Sequence, residues 1–196
     1  MSDSLDMVSW PVRTERLTLR RLETEDAQAT WEYRQLPQVQ RWITSGAQTF
    51  EEYLDQFMLA KRYAHDVAVE LGQANGESRL IGTVMLKVQD GWGQSEIADE
   101  ARAIEAEIGW SFDPNYGGQG FASEAVRSVL DLCFGPLGLR RVVAECFAAN
   151  EPSWRLMERI GMRRESYSVR SGLHREGQWL DGMTYAVLAD EWSTQE

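Results

Sequence analysis

The sequence predicts a mixed α/β fold, one sheet of mixed strand direction with helices packed on it. Segments that alternate apolar and polar residues are interleaved with segments whose apolar residues recur at helical spacing. Asn-Gly, Gly-Pro and isolated glycines punctuate the joins. The interleaving runs through all 196 residues without a repeat, a low-complexity segment or a Pro/Gly/Ser linker, so one domain over 1–196 is expected.

Arg16–Leu22 alternates as a half-buried first strand. A helix is expected from about Glu25 to Leu36, with Thr24 as N-cap and Glu25 and Asp26 in its first turn. Thr49-Phe50-Glu51-Glu52 has the form of a capping box, and Phe50, Tyr53, Leu54, Phe57 and Met58 follow at helical spacing. Val67–Leu71 and Leu80–Val88, separated by the turn-forming Asn75-Gly76, form an antiparallel pair. Gln89–Arg102 is a polar connection, and a strand resumes over Ile104–Phe112. Phe121–Phe134 is an amphipathic helix stopped by Gly135-Pro136. Arg141–Phe147 is a strand whose run of Val142, Val143 and Ala144 predicts burial on both faces. Pro152 opens a short helix that Gly161 ends. Strands around Glu165–Ser171 and Trp179–Leu188 complete the order β-α-α-β-β-β-α-β-α-β-β.

The 20 basic residues are outnumbered by 31 acidic ones, for a net charge of −11. Such a chain repels nucleic acid and anionic membrane, so neither is expected as a partner. All but Lys61 and Lys87 of the basic residues are arginine, as a GC-rich genome or a need for bidentate anion contacts would produce. The acidic start, Met1-Ser2-Asp3-Ser4, does not have the form of a signal peptide, and no apolar run approaches the roughly 20 residues of a membrane span. A cytoplasmic location is therefore expected. Cys133 and Cys146 are too few for a disulfide framework and lack metal-ligand spacing, so two reduced, buried thiols and no metal are expected.

The most informative stretch is Ile108-Gly109-Trp110-Ser111-Phe112-Asp113-Pro114-Asn115-Tyr116-Gly117-Gly118-Gln119-Gly120-Phe121-Ala122-Ser123-Glu124. A strand enters a glycine-rich turn that opens directly into a helix. The first N–H groups of such a helix have no partner within it and sit at its positive end, which suits phosphate or pyrophosphate. Turn geometry alone would equally account for the Gly-Gly pair. The Gly-Lys-Ser/Thr ending of a Walker loop is missing, as is the third glycine of a dinucleotide fingerprint.

Gly117-Gly118-Gln119-Gly120-Phe121-Ala122 resembles the acetyl-coenzyme A motif of the GNAT superfamily, Arg/Gln-x-x-Gly-x-Gly/Ala, with Gly117 departing at the first position. Further pieces resemble its RimJ/RimL-type branch, the N-terminal and ribosomal-protein acetyltransferases. They are Arg13-Thr14-Glu15-Arg16-Leu17, Glu107-Ile108-Gly109-Trp110, Asn150-x-x-Ser153, Ile160-Gly161-Met162, Gly177-Gln178-Trp179-x-Asp181 and Tyr185-x-x-Leu188. They occur in the family's order over about Arg13 to Trp192.

The resemblance implies a splayed mixed sheet and acetyl-CoA as the acetyl donor, with no metal. The acetyl group passes to a primary amine by direct attack in a ternary complex. Trp110, Ser111 and Phe112 would meet the pantetheine arm, their backbone donating to the thioester oxygen. Gly117, Gly118, Gln119, Gly120, Phe121, Ala122 and Ser123 would form the phosphate cradle. Asn150 and Ser153 would face the arm, and Arg155 belongs to a basic stretch, Arg127 to Arg175, with nine arginines against five acidic residues.

Glu107, with Glu105 second, is the expected general base, the two sharing one strand face. The tyrosine with which many relatives protonate the leaving thiolate is replaced by Met157, leaving Ser153 as the donor. Solvated carboxylates and a structural serine are the alternatives, and His65 and His174 receive no role. Trp31, Tyr33, Trp42, Trp92 and Trp179 would line the acceptor site, each being equally at home in a core or on a surface. Six acidic residues against Arg102 between Gln89 and Glu107 favour a cationic acceptor, such as a protein N-terminus, a polyamine or an amino-sugar. A small-molecule acetyltransferase and a silent acyl-CoA-binding module stay open, as does oligomeric state, although homodimers are frequent among relatives of this kind.

Overall fold

A computed structural model describes residues 4–59, 62–74 and 76–193. After a 3-10 turn at Ser4–Met7, the chain runs β1 (Val12–Arg13), β2 (Leu17–Arg21), α1 (Ala27–Arg34), α2 (Pro37–Gln40), α3 (Phe50–Leu59), α4 (Arg62–His65), β3 (Asp66–Gly72) and β4 (Ser78–Gln89). Then follow β5 (Glu105–Phe112), α5 (Phe121–Phe134), β6 (Arg141–Phe147), α6 (Glu151–Arg159), β7 (Arg163–Leu173), β8 (Trp179–Leu188) and α7 (Ala189–Ser193). The strands hydrogen-bond in the order β1-β2-β3-β4-β5-β6-β8-β7. Pairing is parallel between β5 and β6 and antiparallel in β1–β2, β2–β3, β3–β4, β6–β8 and β7–β8, the mixed α/β sheet that the sequence predicts. The chain divides into two units, Met1–Leu86 with Trp110–Val129, and Lys87–Gly109 with Leu130–Glu196.

In the first unit the alternation of β2 buries Leu17 and Leu19, which pair with Leu71 and Val69 of β3. Above them Leu22, Ala27, Trp31, Ala47, Tyr53, Phe57 and Ala68 close a core cluster. Trp31 lies 5.3 Å from Tyr53 between ring centroids, and the Tyr53 hydroxyl meets Thr30 Oγ1 at 2.8 Å. The helix expected over Glu25–Leu36 is shorter. A 3-10 turn at Thr24–Asp26 precedes α1, and Asp26 Oδ2 accepts the Glu23 N–H at 2.8 Å, so Thr24 is not the cap. Leu36 is extended at φ −65°, ψ 133°, because the following Pro37 disfavours a helical residue before it. Thr49 Oγ1 caps the Glu52 N–H at 3.2 Å, while Glu52 reaches back to the Gln48 N–H at 2.8 Å. Only Tyr53 and Phe57 of that helix are fully buried; Leu54 and Met58 are exposed. The β3–β4 turn includes Gly76 at φ 86°, and Asn75 lies outside the described residues.

In the second unit β6 pairs with β8 along its whole length, from Arg141↔Leu188 to Phe147↔Gly182. Val142 and Ala144 are buried, Val143 is half-buried and Glu145 is exposed, so β6 is buried on one face rather than on two. Among the described residues the β5–β6 ladder covers only Glu105↔Arg141, Ala106↔Val142 and Glu107↔Val143. Pro152 is the second residue of α6, and Gly161, at φ 90°, ends it with its N–H on the Glu158 carbonyl at 3.1 Å. The polar connection before β5 contains a 3-10 segment, Ser95–Ala101. Cys133 is buried and Cys146 only partly so, and both are free thiols.

Candidate active site

The glycine-rich turn is built by two left-handed glycines, Gly118 at φ 74° and Gly120 at φ 84°, a conformation costly for residues bearing a Cβ. Asp113 starts the turn by accepting the Asn115 N–H at 2.9 Å. The first helical bond of α5 is Glu124 N–H to the Gly120 carbonyl, at 3.0 Å. The N–H groups of Gly118, Gln119, Gly120, Phe121 and Ala122 donate to no acceptor among the described residues. Five consecutive donors at the positive end of a 14-residue helix suit a multiply charged anion. Gly117, by contrast, donates to the Pro114 carbonyl at 3.0 Å.

One side of this cradle is braced from the turn between β1 and β2. Glu124 Oε1 accepts from Thr14 Oγ1 at 2.6 Å and from the Arg16 N–H at 2.9 Å, and Oε2 accepts from Arg16 Nε at 2.7 Å. Arg16 Nη1 donates to the Gln119 carbonyl at 2.9 Å, and its guanidinium stacks 4.5 Å from the Phe121 ring centroid. A Cβ on Gly120 would lie 3.3 Å from Arg16 Nη2, which places a cation against the cradle. Burial raises the Glu124 carboxyl, but the bonds from Thr14 and Arg16 outweigh it and hold Glu124 below the ordinary glutamate value. Sequence reasoning places Thr14 and Arg16 in a motif without a role. No local pattern could supply one, since the contact spans 108 residues.

Along β5 the buried residues are Ala106 and Ile108, then Ser111. The alternation slips by one place, as an inserted residue produces. Phe112 packs over Gly82, where a Cβ would fall 2.3 Å from its ring, and Ser111 Oγ accepts from Arg34 Nη1 at 2.7 Å. Trp110 is half-buried.

In the second unit Glu105 and Glu107 have different surroundings. Glu105 is paired with Arg140 at 2.6 Å and with Arg141 at 3.8 Å. The half-buried Glu107 carboxylate has no hydrogen bond or ion pair among the described residues. The Asn150 side chain makes no cap hydrogen bond, although its carbonyl accepts from Ser153 N–H at 3.1 Å. The Ser153 side chain hydrogen-bonds the Cys146 sulfur. Burial pushes the Cys146 thiol up to about 11, and the Glu145 charge adds to that while the Ser153 bond opposes it. Met157 is 1% exposed.

Much of the arginine excess is taken up by ion pairs. Arg155 binds Glu151 at 2.5 Å, Arg141 and Arg163 share Glu165, and Arg163 also meets Glu191. Within the Gly-Gln-Trp-x-Asp motif, Asp181 has a structural role. Its side chain accepts from Tyr167 Oη at 2.5 Å and from Arg170 N–H at 2.7 Å, holding the irregular turn of β7 where Arg170 has φ 48°. Those same two bonds lower the Asp181 carboxyl.

Of the aromatic candidates, Trp31 and Tyr33 are core residues, 8% and 2% exposed, and Tyr33 Oη meets Thr83 Oγ1 at 3.3 Å. Trp42 is half-buried beneath Arg41, at 4.9 Å. Trp92 and Trp179 are exposed. His174 is buried edge-on to Phe147 and accepts the Glu176 N–H at 3.3 Å, a turn-forming role. Among the described residues no helix is long and apolar enough to cross a membrane.

Comparison with known proteins bears on the whole arrangement. The Acetyltransferase (GNAT) domain family matches residues 16–163. The uncharacterized N-acetyltransferase YnaD of Bacillus subtilis (strain 168) is 32% identical over 183 residues, covering 93% of this chain and 99% of that protein. YdaF of the same organism, whose name marks it provisionally as a ribosomal N-acetyltransferase, is 28% identical over 93% of this chain and 96% of its own. The crystal structure of a GNAT-family acetyltransferase from Bacillus anthracis superposes with a TM-score of 0.74 at 32% identity, over 92% of this chain and 99% of that one. A spermidine N-acetyltransferase from Vibrio cholerae, solved with CoA and spermine, shares the fold with a TM-score of 0.69 at 20% identity, over 92% and 99% of the two chains.

Proposed function

The chain belongs to the GNAT acetyltransferase family and is an N-acetyltransferase, and from that premise we propose that it moves the acetyl group of acetyl-CoA to the amino terminus of a protein. The observation that carries the donor is the run of five unpartnered N–H groups from Gly118 to Ala122, with Arg16 against it. These groups suit the pyrophosphate of CoA, and the coenzyme supplies the acetyl thioester.

The chain's own residues then have separate tasks. The backbone of Trp110–Phe112 orients the donor's arm. Glu107, which no cation among the described residues neutralises, takes the proton of the acceptor ammonium. Glu105 serves the fold through Arg140 and Arg141. Ser153 returns a proton to the departing sulfur, and Asn150 holds the arm.

The RimJ/RimL-like branch is supported by the ordered motif series and by the name of YdaF, and it brings with it the expectation of a cytoplasmic, dimeric enzyme. The family match runs through both units, which supports treating them as one catalytic domain. A polyamine is the second acceptor class, favoured by the exposed Glu96 and Glu100, which are unpaired among the described residues, and by the spermine complex of the Vibrio cholerae enzyme.

Calorimetry with CoA and acetyl-CoA tests the donor, and no heat at high micromolar ligand would end this proposal. Acetyl-CoA offered with peptides, polyamines and amino-sugars, read by mass spectrometry, identifies the acceptor. Acetylation of polyamines alone would overturn the N-terminal assignment.

A further inference from the structure

Arg34 is the last residue of α1 and only 7% exposed. Its Nη1 donates to Ser111 Oγ at 2.7 Å. Among the described residues it makes no ion pair, and its buried Nε has no acceptor. Nη2 likewise donates to nothing among the described residues. Its polar surroundings are neutral hydroxyls: Ser111 Oγ lies 3.4 Å from Thr83 Oγ1, which lies 3.3 Å from Tyr33 Oη. The carbonyl end of α1 offers at most about half an opposing charge, and no hydrogen bond joins it to the guanidinium.

A buried cation without a counter-charge is among the costliest arrangements a fold can hold, and an apolar side chain of similar length avoids the cost. The unused donors also have a defined shape. With Nη1 turned to Ser111, Nε and Nη2 remain as the side edge of the guanidinium, the pair that receives a carboxylate through two parallel hydrogen bonds. The acetyl donor does not account for it. The pyrophosphate of CoA is assigned to the backbone of Gly118–Ala122, and the pantetheine arm that passes Trp110–Phe112 is neutral and carries no carboxylate.

We propose that the Nε/Nη2 edge of Arg34 binds a carboxylate carried by the amine acceptor. This rests on the assignment of acetyl transfer to an amine and narrows its substrate class. The acceptor is then either a free amino acid or a peptide whose first residue is followed by an acidic one, and Ser111 Oγ, backed by the hydroxyls of Thr83 and Tyr33, holds the guanidinium in place for either.

The test titrates the CoA-loaded full chain by calorimetry with two matched pairs, L-alanine against L-alaninamide and Ala-Glu-amide against Ala-Gln-amide. The carboxylate member of at least one pair binds at least tenfold more tightly, and which pair does so identifies the source. In Arg34→Met the preference disappears while the melting temperature of the ligand-free protein is unchanged or higher. Equal binding within both pairs, or a preference that persists in Arg34→Met, overturns the proposal. So does a lower melting temperature in Arg34→Met that Arg34→Lys restores, since the arginine is then structural. Binding without any acetyl transfer would instead refute the activity and leave the carboxylate site standing.

Discussion

Replacing Glu124 with glutamine probes the brace between the β1–β2 turn and the cradle. The carboxylate accepts three hydrogen bonds, from Thr14 Oγ1 at 2.6 Å, Arg16 N–H at 2.9 Å and Arg16 Nε at 2.7 Å. An amide keeps one acceptor oxygen but turns an NH2 toward the guanidinium. Charge-assisted bonds contribute about 1.5–3 kcal/mol where sheltered. The Arg16 side chain is 41% exposed, and screening reduces such a pair to roughly 0.2–1 kcal/mol. With the weakening of the other two bonds, the loss is about 1–2 kcal/mol. In a chain of this size that lowers Tm by about 3–6 °C.

Scanning calorimetry measures the shift, and titration with CoA measures the accompanying fall in affinity as the Gly118–Gly120 turn loosens. Because Glu124 is held below its ordinary value of 4.5, its contribution is present above that pH and is lost as pH falls through the lowered value. Wild type and Glu124→Gln therefore converge in stability in acid. A Tm change below about 1 °C, or strict additivity of Arg16→Ala with Glu124→Gln, would refute the brace.

The other expectations are more local. Glu107→Gln lowers kcat/KM by about a hundredfold or more without changing the Kd for CoA, whereas Glu105→Gln lowers Tm by freeing Arg140 and Arg141; a reversal of these two phenotypes would transfer the base to Glu105. Gly82→Ala drives a Cβ to 2.3 Å from the Phe112 ring and costs about 1–3 kcal/mol in urea unfolding, and Phe112→Leu in the same chain restores part of it; an unchanged midpoint would show that the ring moves freely. With its thiol raised to about 11, Cys146 reacts with iodoacetamide at pH 8 about a hundredfold more slowly than an ordinary thiol, as peptide mapping over time would record; prompt labelling would contradict its burial and its contact with Ser153.

What the sequence revealed depended on whether a signal was local. Phe121–Phe134 and Arg141–Phe147 coincide with α5 and β6, because an apolar stripe with a Gly-Pro stop and a short β-branched run each carry their own boundaries. The first helix, expected through Leu36, ends at Arg34, because backbone sterics before Pro37 decide that end. Val143 extends the apolar run of β6 and so implies burial on both faces, while its partial exposure depends on what covers that face. The cradle was legible through its glycines. The Thr14–Arg16–Glu124 contact and the isolation of Arg34 were not: one joins distant segments, and a charge in the last turn of a helix ordinarily reads as a favourable end residue.

The Arg16–Glu124 contact also orders events in time. The segment that braces the cradle leaves the ribosome 108 residues before its partner, which at usual synthesis rates is about 5–20 s. Throughout that interval Thr14 and Arg16 exist without the turn they stabilise, and such long-range closure slows folding relative to local contacts. Coenzyme affinity is thus acquired late, and it should be among the first properties lost when the amino-terminal strand is trimmed or frays, while the sheet beyond it still stands.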